Sequence, residues 1–182
     1  MNSEKTKNSL TTYDQNFIFY KKYHSNIANI LVHIFCIPTL VWSIFGIANT
    51  LGSYGGLHQQ SYLKYIPSTV IYSAYMLYYY IIAPKKVFWQ TFYLYLIILI
   101  NLNSHYNTST GISTYLVVHI LGWVFQIASH KYLEGNSPAL LDGIVQSFLT
   151  APIFIVHEVV ENIQGFNLKY TLLLYSLYKL VF

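Results

Sequence analysis

Arginine is absent from this chain of 182 residues: all ten basic side chains are lysines, set against six acids for a net charge of +4. Without a guanidinium there is no bidentate clamp for a carboxylate or phosphate. An anionic substrate must then be held by lysine, backbone, hydroxyls or a metal. Cysteine occurs once, at Cys36 within an apolar run. That excludes an intramolecular disulfide and a thiolate metal cluster, and leaves a small buried hydrophobe as the plain reading. Charge of either sign is scarce, at 9% of residues, where a soluble domain carries about 25%. The lysines Lys21, Lys22, Lys85 and Lys86 flank apolar segments, as membrane-anchoring lysines do; they do not form a nucleic-acid surface.

What fills the chain instead is apolar and aromatic: 54% hydrophobic and 18% Phe, Trp or Tyr. Residues 1–16 form a polar tail without an apolar core, so no cleaved secretory signal is expected and the first hydrophobic helix directs insertion itself. Residues 17–182 show no compositional break and read as a single membrane-embedded domain. A spanning helix needs roughly 20 mostly apolar residues. Four candidates meet that pattern: Ile27 to Ala48 with Pro38 inside it, Ile66 to Ala83, Val87 to Leu102, and Ile112 to His130. Lysines cluster before the first, between the second and third, and after the fourth. By the positive-inside rule both termini are cytoplasmic. Beyond the fourth span, Ser137-Pro138 reads as a helix start, with one helix from Pro138 to about Leu149 and another from Ile153 to Asn162, broken at Ala151-Pro152. Asp142, Glu158 and Glu161 make deep insertion of this pair expensive, so it is expected to lie at the cytoplasmic interface or to re-enter as a shallow hairpin. Leu168 to Phe182 is short, carries Lys169 and Lys179, and is expected along the interface. The fold expected is all-α: a membrane bundle of about four spans plus this hairpin.

Histidine carries the chemistry. Of seven, His58 and His105 fall in loops assigned to the far side. In the fourth span His119, Trp123, Gln126 and His130 recur at i, i+4, i+7 and i+11, which puts them on one helical stripe, and Glu134 continues it by a turn. A polar stripe within a membrane helix faces protein or a cavity. The antiparallel first span places His24 level with His130. His33 lies about 13 Å further along its helix and His119 about 16 Å along its own, at 1.5 Å per residue. Two tiers of paired histidines are therefore expected, and a metal or haem explains them better than packing alone. A three-ligand site requires all donors around one ion. Either one tier binds it with a carboxylate, or Pro38 and an unwound start of the first helix close the gap.

Two stretches are distinctive in combination. The first runs Phe19-Tyr20-Lys21-Lys22-Tyr23-His24 and on through Asn29 and His33 to Pro38. The second comprises Trp123, Gln126, His130 and Glu134, then Pro138-Ala139-Leu140, Asp142, Gln146, Ala151-Pro152, Phe154 and Glu158. Together, over Phe17 to about Glu161, they resemble the small endoplasmic-reticulum 2-hydroxy fatty acid dioxygenases of fungi. The resemblance implies an iron(II) enzyme of fatty acid α-oxidation in phytosphingosine breakdown. It would turn a 2-hydroxy long-chain fatty acid and dioxygen into the acid one carbon shorter. It carries metal-ligand roles onto His24, His33 and His130, with His119 on the same stripe and His157 outside the pattern. Glu134, Asp142 and Glu158 would then hold the ligands' free ring nitrogens, Glu134 and Asp142 within the catalytic set. A 2-hydroxy acid can chelate iron through its carboxylate and hydroxyl, and three protein ligands leave the open positions this needs.

Two rival readings stay open at this level. One is a bis-histidine haem protein for electron transfer, with His33 and His119 as axial ligands. The other is a membrane scaffold or lipid-binding protein whose histidines are merely hydrogen-bonded. The clustered histidine boxes of a di-iron desaturase are absent.

Overall fold

A computed structural model describes residues 10–56, 62–106, 111–135 and 144–165. They form six α-helices and, among the described residues, no strand: α1 Thr12–Lys22, α2 Ile27–Tyr54, α3 Ile66–Ile82, α4 Lys85–His105, α5 Ile112–Ser129 and α6 Ile144–Gly165. A short 3-10 turn, Leu63–Tyr65, leads into α3, and a π-helical turn, His130–Glu134, extends α5. Helix α1 starts inside the polar tail read from the sequence. Its N-cap Thr11 accepts from the Asp14 amide while the Asp14 carboxylate accepts from the Thr11 amide, a reciprocal box that satisfies two orphan donors. Lys21 and Lys22 in its last turn complement the helix dipole.

Among the described residues, three helices are long and apolar enough to cross a membrane: Ile27–Tyr54, Lys85–His105 and Ile112–Glu134. Four had been expected from the sequence. Helix α3 is held to 17 residues between the 3-10 turn and Pro84, about 25 Å at 1.5 Å per residue, just short of the bilayer core. Outward faces are apolar, with Leu77, Ile81, Ile97, Ile100, Ile120 and Val124 all exposed, as in a protein whose solvent is lipid.

Helices α2 and α5 pack most extensively. Their close approach depends on two glycines. A Cβ at Gly46 would lie inside the ring of Tyr115, and one at Gly122 would come 2.8 Å from Leu40 Cδ2.

Helix α6 corrects a second expectation. The break read at Ala151-Pro152 does not occur: Pro152 sits inside one continuous helix. Proline removes a hydrogen bond to the carbonyl four residues back, here Phe148. The Tyr75 hydroxyl donates to that carbonyl at 3.4 Å, the Tyr79 hydroxyl to Leu149 O at 2.8 Å and the Tyr95 hydroxyl to Pro152 O at 3.0 Å. Tyrosines of α3 and α4 thus satisfy the backbone around the proline, and Ile153, Phe154 and Ile155 bury fully. Pro138 to Gly143 and Leu168 to Phe182 lie outside the described residues.

Candidate metal centre

The chain breaks between α1 and α2 over Tyr23 to Asn26, and this break builds the site. Asn26 caps α2, its side chain accepting from the Ala28 amide at 2.9 Å. The Glu134 carboxylate, delivered by the π-helical turn at the end of α5, takes four donors from the same stretch. These are Ser25 N at 2.9 Å, Ser25 Oγ at 2.7 Å, Asn26 N at 2.8 Å and Asn29 Nδ2 at 3.0 Å. An anion there meets the positive end of the α2 dipole as well as charge-assisted hydrogen bonds. Asn29, fully buried, completes the tie: its Oδ1 accepts from Ser129 Oγ on α5 at 2.6 Å. Two helices and a turn are thereby locked in register.

The result is that His24 folds back beside His33 and His130. Ring centroids lie 4.6 Å apart for His24–His33, and 4.8 Å for both His24–His130 and His33–His130, each pair nearly perpendicular. One ring nitrogen of each lies within 4.8 Å of the others, and all three residues are buried. Of the two ways of closing the gap between the tiers, the unwound start of the first span is the one present. The regular-helix estimate of 13 Å fails because Tyr23 to Asn26 is not helical.

Hydrogen bonds fix the tautomers. His24 Nδ1 lies 2.9 Å from Tyr20 O and His33 Nδ1 lies 2.9 Å from Asn29 O. A carbonyl can only accept, so both Nδ1 atoms carry the proton and both Nε2 atoms present a lone pair. His24 Nε2 and His130 Nδ1 are buried without a hydrogen-bond partner. Burial lowers His24 to about 4, against the opposing pull of the Tyr20 carbonyl, so its ring is neutral near pH 7. Unpartnered buried nitrogens are costly in a bare protein; three buried imidazoles with ring nitrogens this close together suit a metal ion.

The other candidates are placed elsewhere. His119 stands apart with both ring nitrogens engaged. Trp123 Nε1, which can only donate, gives to His119 Nε2 at 3.1 Å, so Nδ1 donates to Ser43 Oγ at 2.9 Å and the Ser43 hydroxyl donates to Leu40 O at 2.9 Å. Glu134 faces the start of α2, not a ring nitrogen. Glu158 is buried with Oε2 unpartnered, as is the Tyr20 hydroxyl. Burial foremost, and the neighbouring Glu158 next, keep that phenol protonated. Tyr20 in turn stacks on His24 at 3.9 Å. His157 belongs to the docking of α1, stacked on Phe17 at 4.0 Å, with Nδ1 3.1 Å from the Tyr13 hydroxyl. Asp142 lies outside the described residues. The partners that orient His24 and His33 are main-chain carbonyls, which sequence reading assigned to carboxylates. The signal was the spacing itself, since each carbonyl belongs to the residue four before its histidine.

A cavity of about 310 Å³ begins one helical turn from His33 along α2 and one turn from His130 along α5. Ile37, one turn beyond His33, and Gln126, one turn before His130, form its near wall; Leu40, Tyr72, Tyr79 and Trp123 line it further in.

Comparison with known proteins bears on this site. The model of the family described as 2-hydroxy-palmitic acid dioxygenase Mpo1-like matches residues 10–163. The chain belongs to the Mpo1-like family. The 2-hydroxy-palmitic acid dioxygenase MPO1 of Saccharomyces cerevisiae is 31% identical over 140 residues, covering 77% of this chain and 75% of the yeast protein. No solved structure matches. The matched region takes in α1 to α5, all but the last two residues of α6, and all three clustered histidines.

Proposed function

We propose that this protein is an iron(II)-dependent dioxygenase that converts a 2-hydroxy long-chain fatty acid to the acid one carbon shorter. The observation that carries the reading is the meeting of three buried imidazoles one helical turn from an apolar cavity, in a chain whose yeast relative is named a 2-hydroxy-palmitic acid dioxygenase. His24, His33 and His130 would hold the iron. The bound ion supplies open positions at which the 2-hydroxy acid and dioxygen come together.

The protein's own groups do the rest. Tyr20 O and Asn29 O keep the His24 and His33 lone pairs aimed inward, the kind of outer support that typically changes metal affinity 10–100-fold when lost. Glu134 holds the α1–α2 break closed, and so serves the site by position. Tyr20 and Glu158 form a buried polar backing behind His24. His119, committed to Ser43 and Trp123, belongs to the cavity wall. Asp142 is retained as a candidate from the sequence alone. The apolar cavity takes the alkyl chain out of water, and the lack of arginine leaves the substrate carboxylate to the metal and to neutral donors. The overall change balances without an external reductant. The 2-hydroxy acid plus one dioxygen gives the shortened acid, one carbon dioxide and one water, with the four electrons passing from the first two carbons of the substrate to dioxygen. We place the enzyme in the endoplasmic reticulum membrane with both termini cytoplasmic, acting in α-oxidation during phytosphingosine breakdown.

The test is direct. Detergent-purified protein loaded with iron(II) and given 2-hydroxypalmitic acid in air should yield the 15-carbon acid by mass spectrometry, and a chelator should stop it. Absence of that acid from fully iron-loaded protein would refute the reading.

A further inference from the structure

Most polar groups on the cavity wall are engaged. Tyr72 donates to Phe92 O at 3.1 Å, and Tyr75, Tyr79 and Tyr95 donate to the carbonyls of α6. His119 and Trp123 bond to each other. Gln126 is different. It is only 6% exposed, it lines the cavity, and its Nε2 has no hydrogen-bond partner. A buried amide N–H without an acceptor destabilises a protein, so in native structures such a group marks a place where something else supplies the acceptor. The amide nitrogen is a donor only. It is matched to an oxygen and mismatched to an alkyl chain.

Its position says which part of a ligand it meets. Gln126 lies four residues before His130, about 6 Å along α5, and Ile37 occupies the equivalent level on α2, four residues after His33. Gln126 therefore stands between the imidazoles and the apolar part of the cavity. That is where the head of a fatty acid held at the histidines gives way to its tail.

We propose that Gln126 recognises the oxygenated head of the substrate, donating from Nε2 to a carboxylate oxygen of the 2-hydroxy acid. This rests on the dioxygenase reading and adds a specificity-determining residue to it. The donor compensates for the missing arginine at little electrostatic cost, because a neutral amide needs no counter-ion in a buried site. It also separates an acid from an alkane or a simple lipid tail, since neither would satisfy the amide.

The experiment compares the wild type with Gln126→Leu and Gln126→Glu, loaded with iron(II) under anaerobic conditions. Three quantities are read: iron content, the melting temperature without ligand, and the affinity for 2-hydroxypalmitic acid by titration calorimetry in detergent. Gln126→Leu should keep its iron and melt higher than the wild type without ligand, because an unpaired donor is gone. It should bind the 2-hydroxy acid about tenfold or more weakly, the usual scale of a hydrogen bond to a charged group. Gln126→Glu should bind more weakly still, by repulsion. Affinity of Gln126→Leu within twofold of wild type, with iron retained, would overturn the proposal and leave the dioxygenase reading standing. A lower melting temperature together with iron loss in Gln126→Leu would also overturn it, showing a structural role. A wild type that holds iron yet binds no 2-hydroxy acid would remove both.

Discussion

At the scale of single residues, the site depends on three imidazoles and on one carboxylate that never faces them. Removing a ligand and removing a support should therefore fail differently. His130→Ala takes away a ring whose Nδ1 is buried and unpartnered, so elemental analysis of the purified variant should show iron at background while circular dichroism shows an intact helical protein. Normal iron content would exclude His130 as a ligand. Glu134→Ala removes the acceptor of four hydrogen bonds at the start of α2. It should cost about 2 kcal/mol of stability by thermal melting and weaken iron binding roughly 10–100-fold, with both effects appearing together. Loss of iron affinity with an unchanged melt would mean that Glu134 touches the metal directly.

At the scale of helices, the sequence carried the apolar segments well and their interruptions poorly. Pro38 and Pro152 illustrate the difference. The first was read as tolerated within a span and is; the second was read as a break and is not, because hydroxyls on α3 and α4 reach the carbonyls beside it. Nothing local to residues 138–162 announces those partners, which lie 57 to 73 positions away in the chain. The excess of tyrosine, visible as composition, acquires its purpose only when the helices meet. Tyr79→Phe should accordingly destabilise by about 1 kcal/mol despite conserving volume, and an unchanged melting temperature would count against the role given to its hydroxyl. The α2–α5 contact makes a second prediction of this kind. Gly46→Ala drives a methyl into the Tyr115 ring and should cost about 1–3 kcal/mol. Gly122→Ala meets the end of the flexible Leu40 side chain and should cost less. Equal losses in thermal melts would contradict the packing described.

At the scale of the whole molecule, the pattern of lysines and apolar runs made the membrane class and the all-helical fold legible, and the family resemblance made His24, His33 and His130 candidates for one site. Depth matching on regular helices went only part of the way. It paired His24 with His130 and His33 with His119, whereas the break at Tyr23 to Asn26 brings His33 up to the first pair and leaves His119 on the cavity wall. A turn whose conformation is set by a carboxylate more than a hundred residues away cannot be read from periodicity. The orientation assigned from lysine placement predicts that tags at either terminus are digested by protease added to sealed microsomes; protection of either would reverse it.

The central claim is that three histidines hold an iron which, with dioxygen, shortens a 2-hydroxy acid by one carbon. The measurement that tests it most directly follows dioxygen uptake and the 15-carbon acid together, in wild type and His33→Ala, with 2-hydroxypalmitic acid and iron(II). The account predicts one dioxygen consumed per acid formed in the wild type, with no added reductant, and neither in the variant. Product formed at a comparable rate by His33→Ala, or iron-replete wild type that forms none, would contradict it.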